Sequence, residues 1–106
     1  MSLDERRKLL SQKAEVLKAI AHPARLCIIS CLMQTKGCNV TELQRRLALP
    51  QSTISQHVSK LKSQGIIAGN RNGVEIAYHI IDPDIQLMME HYLKDVLEMM
   101  ESEEQK

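Results

Sequence analysis

The stretch PQSTISQHVSKLKSQG, Pro50 to Gly65, decides how this chain is read. Its start gathers Gln51, Ser52, Thr53, Ser55, Gln56 and His57. Several of these disfavour a helix interior, because their side chains compete for nearby backbone groups. Yet Ile54, Val58 and Leu61 recur among them at helical spacing, and Gly65 supplies a stop. A helix with one apolar stripe and small donors and acceptors crowded at one end is suited to reach into a partner that offers donors and acceptors of its own. Lys60 and Lys62 follow, which suits a partner that is also negatively charged.

The flanking sequence supports this. Upstream, Thr41-x-x-Gln44 has the form of a capping box, with Val40 placed as its staple. It predicts a short helix from Glu42 to Leu47, with Leu43 and Leu47 inward. Ala48-Leu49-Pro50 is a tight connection, and Ser52 is the expected cap of the next helix. Downstream, Val74, Ile76, Tyr78 and Ile80 alternate with Glu75, Ala77 and His79, which is strand spacing. Asn72-Gly73 is the strongest short hairpin signal, so Ile67–Arg71 and Val74–Ile80 are expected to pair, with Arg71-Asn72-Gly73 at the tip.

Further out, Leu9, Leu10, Ala14, Leu17, Ile20 and Ala21 mark an amphipathic helix over 4–20. His22-Pro23 interrupts it, and a second, nearly all-apolar helix runs from about Ala24 to Gln34 until Lys36-Gly37. After the hairpin, Pro83 opens a last helix. Its wide stripe includes Ile85, Met88, Met89, Tyr92, Leu93, Val96, Leu97 and Met100, and the tail ESEEQK is expected to fray. The order is four helices, two strands and a fifth helix. That is a mainly α fold with a β-hairpin wing, a winged helix-turn-helix, in one domain over 1–106.

In such a motif the second helix of the pair enters the DNA major groove. Short polar groups at the start of that helix can lie close to base edges, where Gln can bond adenine and Ser or Thr several bases, and Lys60, Lys62, Arg45 and Arg46 suit phosphates. Arg71 at the wing tip suits a phosphate or the minor groove. The charge distribution agrees. Residues 1–80 carry 12 Lys/Arg against 5 Asp/Glu, and residues 81–106 carry 2 against 8, so a basic body precedes an acidic end. With no Trp, no Phe and two Tyr, a stacking platform for single strands is not expected. Double-stranded DNA is the expected partner.

Other classes fit less well. There is no Gly-rich phosphate loop, Ser/His/Asp grouping or pair of carboxylates in a predicted cleft, so an enzyme is not expected. A protein-interaction module remains the alternative. No apolar run is long enough to cross a membrane, and MSLDERRKLL lacks a signal-peptide core. The expectation is a cytoplasmic protein whose Cys27, Cys31 and Cys38 are thiols.

AHPARLCIISCL, then VTELQRRLALPQSTISQHVSKLKSQGII, then a wing ending in AYHI, resembles the ArsR/SmtB family of bacterial winged-helix repressors. The resemblance runs from about Leu17 into the last helix. It implies a homodimer held by the first helix (4–20) and the last (84–101), a helix-turn-helix over 41–65 and a wing over 66–81. Leu9, Leu10, Met88, Met89, Tyr92, Val96 and Met100 are the candidate interface. It also implies a pseudo-palindromic operator, with Gln51, Ser52, Ser55 and Gln56 at base-reading positions, Thr53, His57, Lys60 and Lys62 on the supporting and phosphate side, and release by an effector or by thiol modification.

The family's usual sensor positions are depleted. Asn39 and Thr41 stand where an arsenite-type Cys-x-Cys pair belongs. In the zinc-type site Asp84 is present, but Gln86, Leu97 and Met100 replace the other ligands. Ser30 occupies the position of the sulfur-sensing cysteine, and the last helix has none. Cys27 and Cys31, at i and i+4, share a face. With Cys38 they are candidates for a soft ion such as As(III), Cu(I) or Cd(II), or for an oxidation switch. The alternative is that they are small core residues. His91, Asp95 and Glu98 also share a face as a candidate cross-dimer metal site, with a plain solvated face as the alternative.

Overall fold

The computed structural model describes residues 1–35 and 37–104. Its elements are α1 (Leu3–Ile20), α2 (Pro23–Gln34), α3 (Val40–Leu47), α4 (Gln51–Ser63), β1 (Ile67–Asn72), β2 (Glu75–Ile80), α5 (Pro83–Tyr92) and α6 (Lys94–Glu104). The winged helix-turn-helix order is present, with the last helix in two pieces.

Local chemistry explains most boundaries. Ser2 and Glu5 form a reciprocal capping box at α1. His22 caps α2 by accepting from the Ala24 N–H at 3.1 Å, and Pro23 takes the first turn, where its missing N–H costs nothing. Asp82 caps α5 by accepting from the Asp84 and Ile85 N–H groups. Gly65, at φ +71°, ends α4 in a Schellman arrangement: Ile66 N–H donates to Leu61 O and Gly65 N–H to Lys62 O.

Three boundaries differ from the sequence expectation. The cap of α3 is Asn39, whose side chain accepts from Glu42 N–H at 2.8 Å, rather than Thr41. The reason lies one residue earlier. Cys38 and Tyr78 exchange two backbone hydrogen bonds, at 3.1 and 2.9 Å, as an isolated antiparallel bridge. This holds the chain extended up to residue 39 and so places the turn into the helix there. Secondly, Pro50 rather than Ser52 precedes α4, and no side chain caps that helix. Ala48, at φ 53°, makes the tight reversal between α3 and α4. Thirdly, Asn72 pairs with Glu75, so the hairpin turn is Gly73-Val74. Only Gly73 has positive φ there, which fits a type II′ turn and spares β-branched Val74 the left-handed region.

The last helix breaks at Leu93, a buried residue with φ −100° and ψ 15°, although neither proline nor glycine is near. Beyond it, α6 turns onto α2, and Gln34 Nε2 donates to Leu97 O at 3.2 Å. The tail is helical through Glu104 rather than frayed from 101. Lys36, expected to help end α2, lies outside the described residues, as do residues 105 and 106.

The core centres on α2. Ile28, Ile29 and Leu32 pack with Leu43, Ile54, Leu61, Ile66 and Ile67 in one cluster. By contrast α1 buries only Ala19 and Ile20 and projects from the body. The radius of gyration is 15.1 Å, against roughly 13 Å for a compact chain of this length. Among the described residues no single helix is long and apolar enough to cross a membrane.

Candidate nucleic-acid interface

The inner face of α4 is fixed by Ile54, Val58 and Leu61, all buried. What remains outside follows from helical geometry. Ser52, Gln56 and Lys60 form one i, i+4 row and all three are exposed. Gln51 is exposed beside them, and Ser55 and Thr53 are half-buried at the row's edge. The absence of a side-chain cap leaves the first turn of α4 open, with Gln51 and Ser52 free to address a partner.

The basic residues surround this row. Arg45 and Arg46 lie within 4.0 and 3.6 Å of Glu42 Oε2 on α3. Exposed Arg45 gains little from its pair, whereas the Arg46 side chain is only 28% exposed. Lys62 Nζ stands 5.9 Å from the centroid of the Tyr78 ring, a cation–π contact that ties the end of α4 to the wing. Arg71 is exposed near the wing tip, opposite Ile76.

Of the residues expected on the supporting and phosphate side, His57 is bonded to the body of the protein. It is half-buried, and its Nδ1 accepts from Arg25 Nε at 3.2 Å. Its ring lies 4.6 Å from that of His22. Burial, and then the charges of His22 and Arg25, push its pKa below the ordinary imidazole value.

A family model described as "Helix-turn-helix domain" matches residues 20–70. The transcriptional repressor PagR of Bacillus anthracis is 44% identical over 77 residues, covering 73% of this chain and 77% of PagR. The HTH-type transcriptional repressor SmtB of Mycobacterium tuberculosis is 38% identical over 76 residues, covering 72% of this chain and 56% of SmtB. The chain belongs to the ArsR/SmtB family of winged helix-turn-helix transcriptional regulators. Its fold is also similar to the solution structure of a homodimeric winged helix-turn-helix DNA-binding domain from Mycobacterium bovis, a possible ArsR-family transcriptional regulator. The TM-score is 0.80 at 28% identity, covering 95% of this chain and 93% of that one. The family is one of regulators rather than enzymes.

The three thiols of this ArsR/SmtB chain differ in exposure. Cys38 is 2% exposed inside the bridge to Tyr78, and its Sγ lies 3.8 Å from Glu42 Oε2. Burial, and then the Glu42 carboxylate, raise its pKa to about 11, so it is poorly suited to form a thiolate. Cys27 is exposed and Cys31 buried. Both line a cavity of about 370 Å3 between α2, α3 and α6, with Arg46 and Met100 in its wall. Among the described residues no three His, Cys, Asp or Glu side chains are grouped to hold a metal ion. The break at Leu93 separates His91 on α5 from Asp95 and Glu98 on α6, and they form no site within the chain.

The interface candidates divide in two. Leu9, Leu10, Met88, Tyr92 and Val96 are exposed, whereas Met89 is 4% exposed and belongs to the core. Met100 is half-buried against that core. Met89 still lines the same apolar groove as Met88 and Tyr92, so one stripe on the last helix serves two surfaces.

Proposed function

We propose that this chain is a homodimeric, sequence-specific repressor that binds double-stranded operator DNA through α4 and the wing. The observation carrying this is the exposed polar row Ser52, Gln56 and Lys60, with Gln51 beside it, on the second helix of a helix-turn-helix in this family. Base-reading by Gln and Ser, and phosphate contacts by Lys60, Lys62, Arg45 and Arg71, follow from their chemistry. The test is a gel-shift on the gene's own upstream region across a salt series. Affinity should fall linearly on a log–log plot as phosphate contacts release counterions. Absence of binding at low salt would leave only a protein-interaction module.

Replacing Gln51 by Ala should relax selectivity at particular base pairs, at a cost of about 1–3 kcal/mol for the preferred base. Binding to a library of single-base operator variants measures this. A uniform loss across all variants would assign Gln51 to the backbone instead.

Release by a thiol-reactive or soft-metal signal is proposed at Cys27 and Cys31, whose cavity adjoins both α3 and α6. The double replacement Cys27→Ser/Cys31→Ser should abolish thiol-dependent release in cells while operator binding persists. Cys38→Ala should leave release intact, because that thiol is protonated and buried. Full release in the double variant would sink the sensor assignment. The burial of Cys31 and Cys38 favours a second reading, a regulator whose cysteines only pack.

A further inference from the structure

At the junction of α1, α2 and α4, one guanidinium joins three elements. Arg25 Nε donates to His57 Nδ1 at 3.2 Å, and another of its nitrogens donates to Ala19 O at 3.2 Å. Ala19 is fully buried in the last turn of α1. His57 lies midway along α4, directly before Val58 of the inner stripe. His22 closes the arrangement, with its ring against His57 and its Nδ1 accepting from Ala24 N–H. A bidentate guanidinium fixes distance and direction together, which a flexible ammonium does not.

We propose that Arg25 and His57 form a positioning clamp that sets the recognition helix against the end of the dimerisation helix, and that protonating His57 opens it. The proposal rests on the repressor reading above. In a dimer the spacing between the two recognition helices is set through α1, so the link from α1 to α4 decides whether both reach their half-sites. The clamp requires a lone pair on His57 Nδ1. A proton there removes the acceptor and places a second cation against Arg25.

The groups acting on His57 are known from each side. His22 and Arg25 come from the α2 side, and α1 supplies the Ala19 carbonyl. On the other elements packed against α4, Lys18 and Glu15 of α1 pair with each other, Glu42 of α3 lies beside Arg45 and Arg46, and Arg71 of β1 is exposed at the wing tip. Lys60, one turn along α4, is exposed. His57 titrates below the usual imidazole value. The native arrangement is therefore fully held above that value and is lost as pH falls through the lower native one.

The test is operator affinity of the full chain from about pH 8 down through the His57 midpoint read by NMR, which is expected below the ordinary imidazole value of ~6.5. Wild-type affinity for operator relative to non-operator DNA should fall about tenfold or more in acid, as one charge-assisted hydrogen bond is lost. His57→Asn keeps an acceptor near the Nδ1 position but takes no proton, so it should bind as wild type at high pH and show a flat profile. Operator affinity that rises in acid would make His57 a phosphate contact and overturn the clamp. So would the same profile in His57→Asn. The titration of the His57 ring, followed by NMR in the free protein, decides separately from DNA. Its midpoint should lie below ~6.5 and rise in Arg25→Met. An unmoved midpoint overturns the clamp, whereas operator binding absent at every pH overturns the repressor reading alone.

Discussion

A chain carrying Leu10→Asp and Tyr92→Asp should run as a monomer and bind its operator roughly 10²–10⁴-fold more weakly than wild type. Leu10 is 60% and Tyr92 72% exposed in the single chain, so neither supports the fold of one protomer. Tyr92 borders an open apolar groove of about 700 Å3 between the end of α1, α2 and α5, lined by Leu17, Ile20, Leu26, Leu87, Met88 and Met89 among others, and Leu10 lies beside exposed Leu9 farther along α1. A second copy covering α1 and α5 would remove this surface from water, and a carboxylate placed there would have to be desolvated without a partner. The loss of operator affinity comes from losing the second half-site, which a dimer engages at high effective concentration. Sedimentation, gel-shift and far-ultraviolet circular dichroism check the three parts separately. An intact dimer, or a monomer with wild-type operator affinity, would reject α1 and α5 as the interface.

Ile54→Ala should destabilise the fold by about 2–5 kcal/mol, the range for truncating a fully buried branched side chain. Ile54 is 0% exposed and lies between Ser52 and Gln56 of the outer row. Three carbons lost there leave a void beneath the helix that must present those groups. Against a total of about 5–15 kcal/mol for a domain of this kind, that is a large fraction. Urea denaturation at fixed protein concentration measures it, the concentration being fixed because dimerisation contributes to apparent stability. Ser59→Ala, on the exposed side of the same helix, serves as the control and should change stability by less than about 0.5 kcal/mol. A loss under about 1 kcal/mol for Ile54→Ala would mean that α4 is not seated by its inner stripe.

The order of elements, the recognition helix and the hairpin were legible because each rests on local signals. Periodicity placed Ile54, Val58 and Leu61 inward, and Gly65 ended the helix as its φ demands. What was not legible depends on contacts between distant residues. Thr41 and Asn39 are both competent caps by composition, and the bridge of Cys38 to Tyr78 chooses between them. Asn72 and Gly73 both tolerate positive φ, but the register of Asn72 with Glu75 puts the turn one residue later. Met89 and Met88 are adjacent and chemically identical, yet only the first faces the core. No residue type marks the break at Leu93. His57 looked like one more polar group near the recognition end. Its role became visible only with Arg25, 32 residues earlier, brought beside it. A histidine one position before a buried stripe residue, together with a His-Pro-x-Arg sequence, is a signal that could have suggested an inward partner.

The short exchange of hydrogen bonds between Cys38 and Tyr78 bears on how the protein meets a duplex. A hairpin of two six-residue strands, anchored only where it leaves and rejoins the body, would swing about those two points. Residue 38 gives it a third anchor, and that anchor is the segment that leads into α3. The wing and the helix-turn-helix are thereby mounted on one frame. If Arg71 and α4 contact DNA as proposed, they would reach it with their separation already set, and adapting to a straight or a bent site would fall to the duplex.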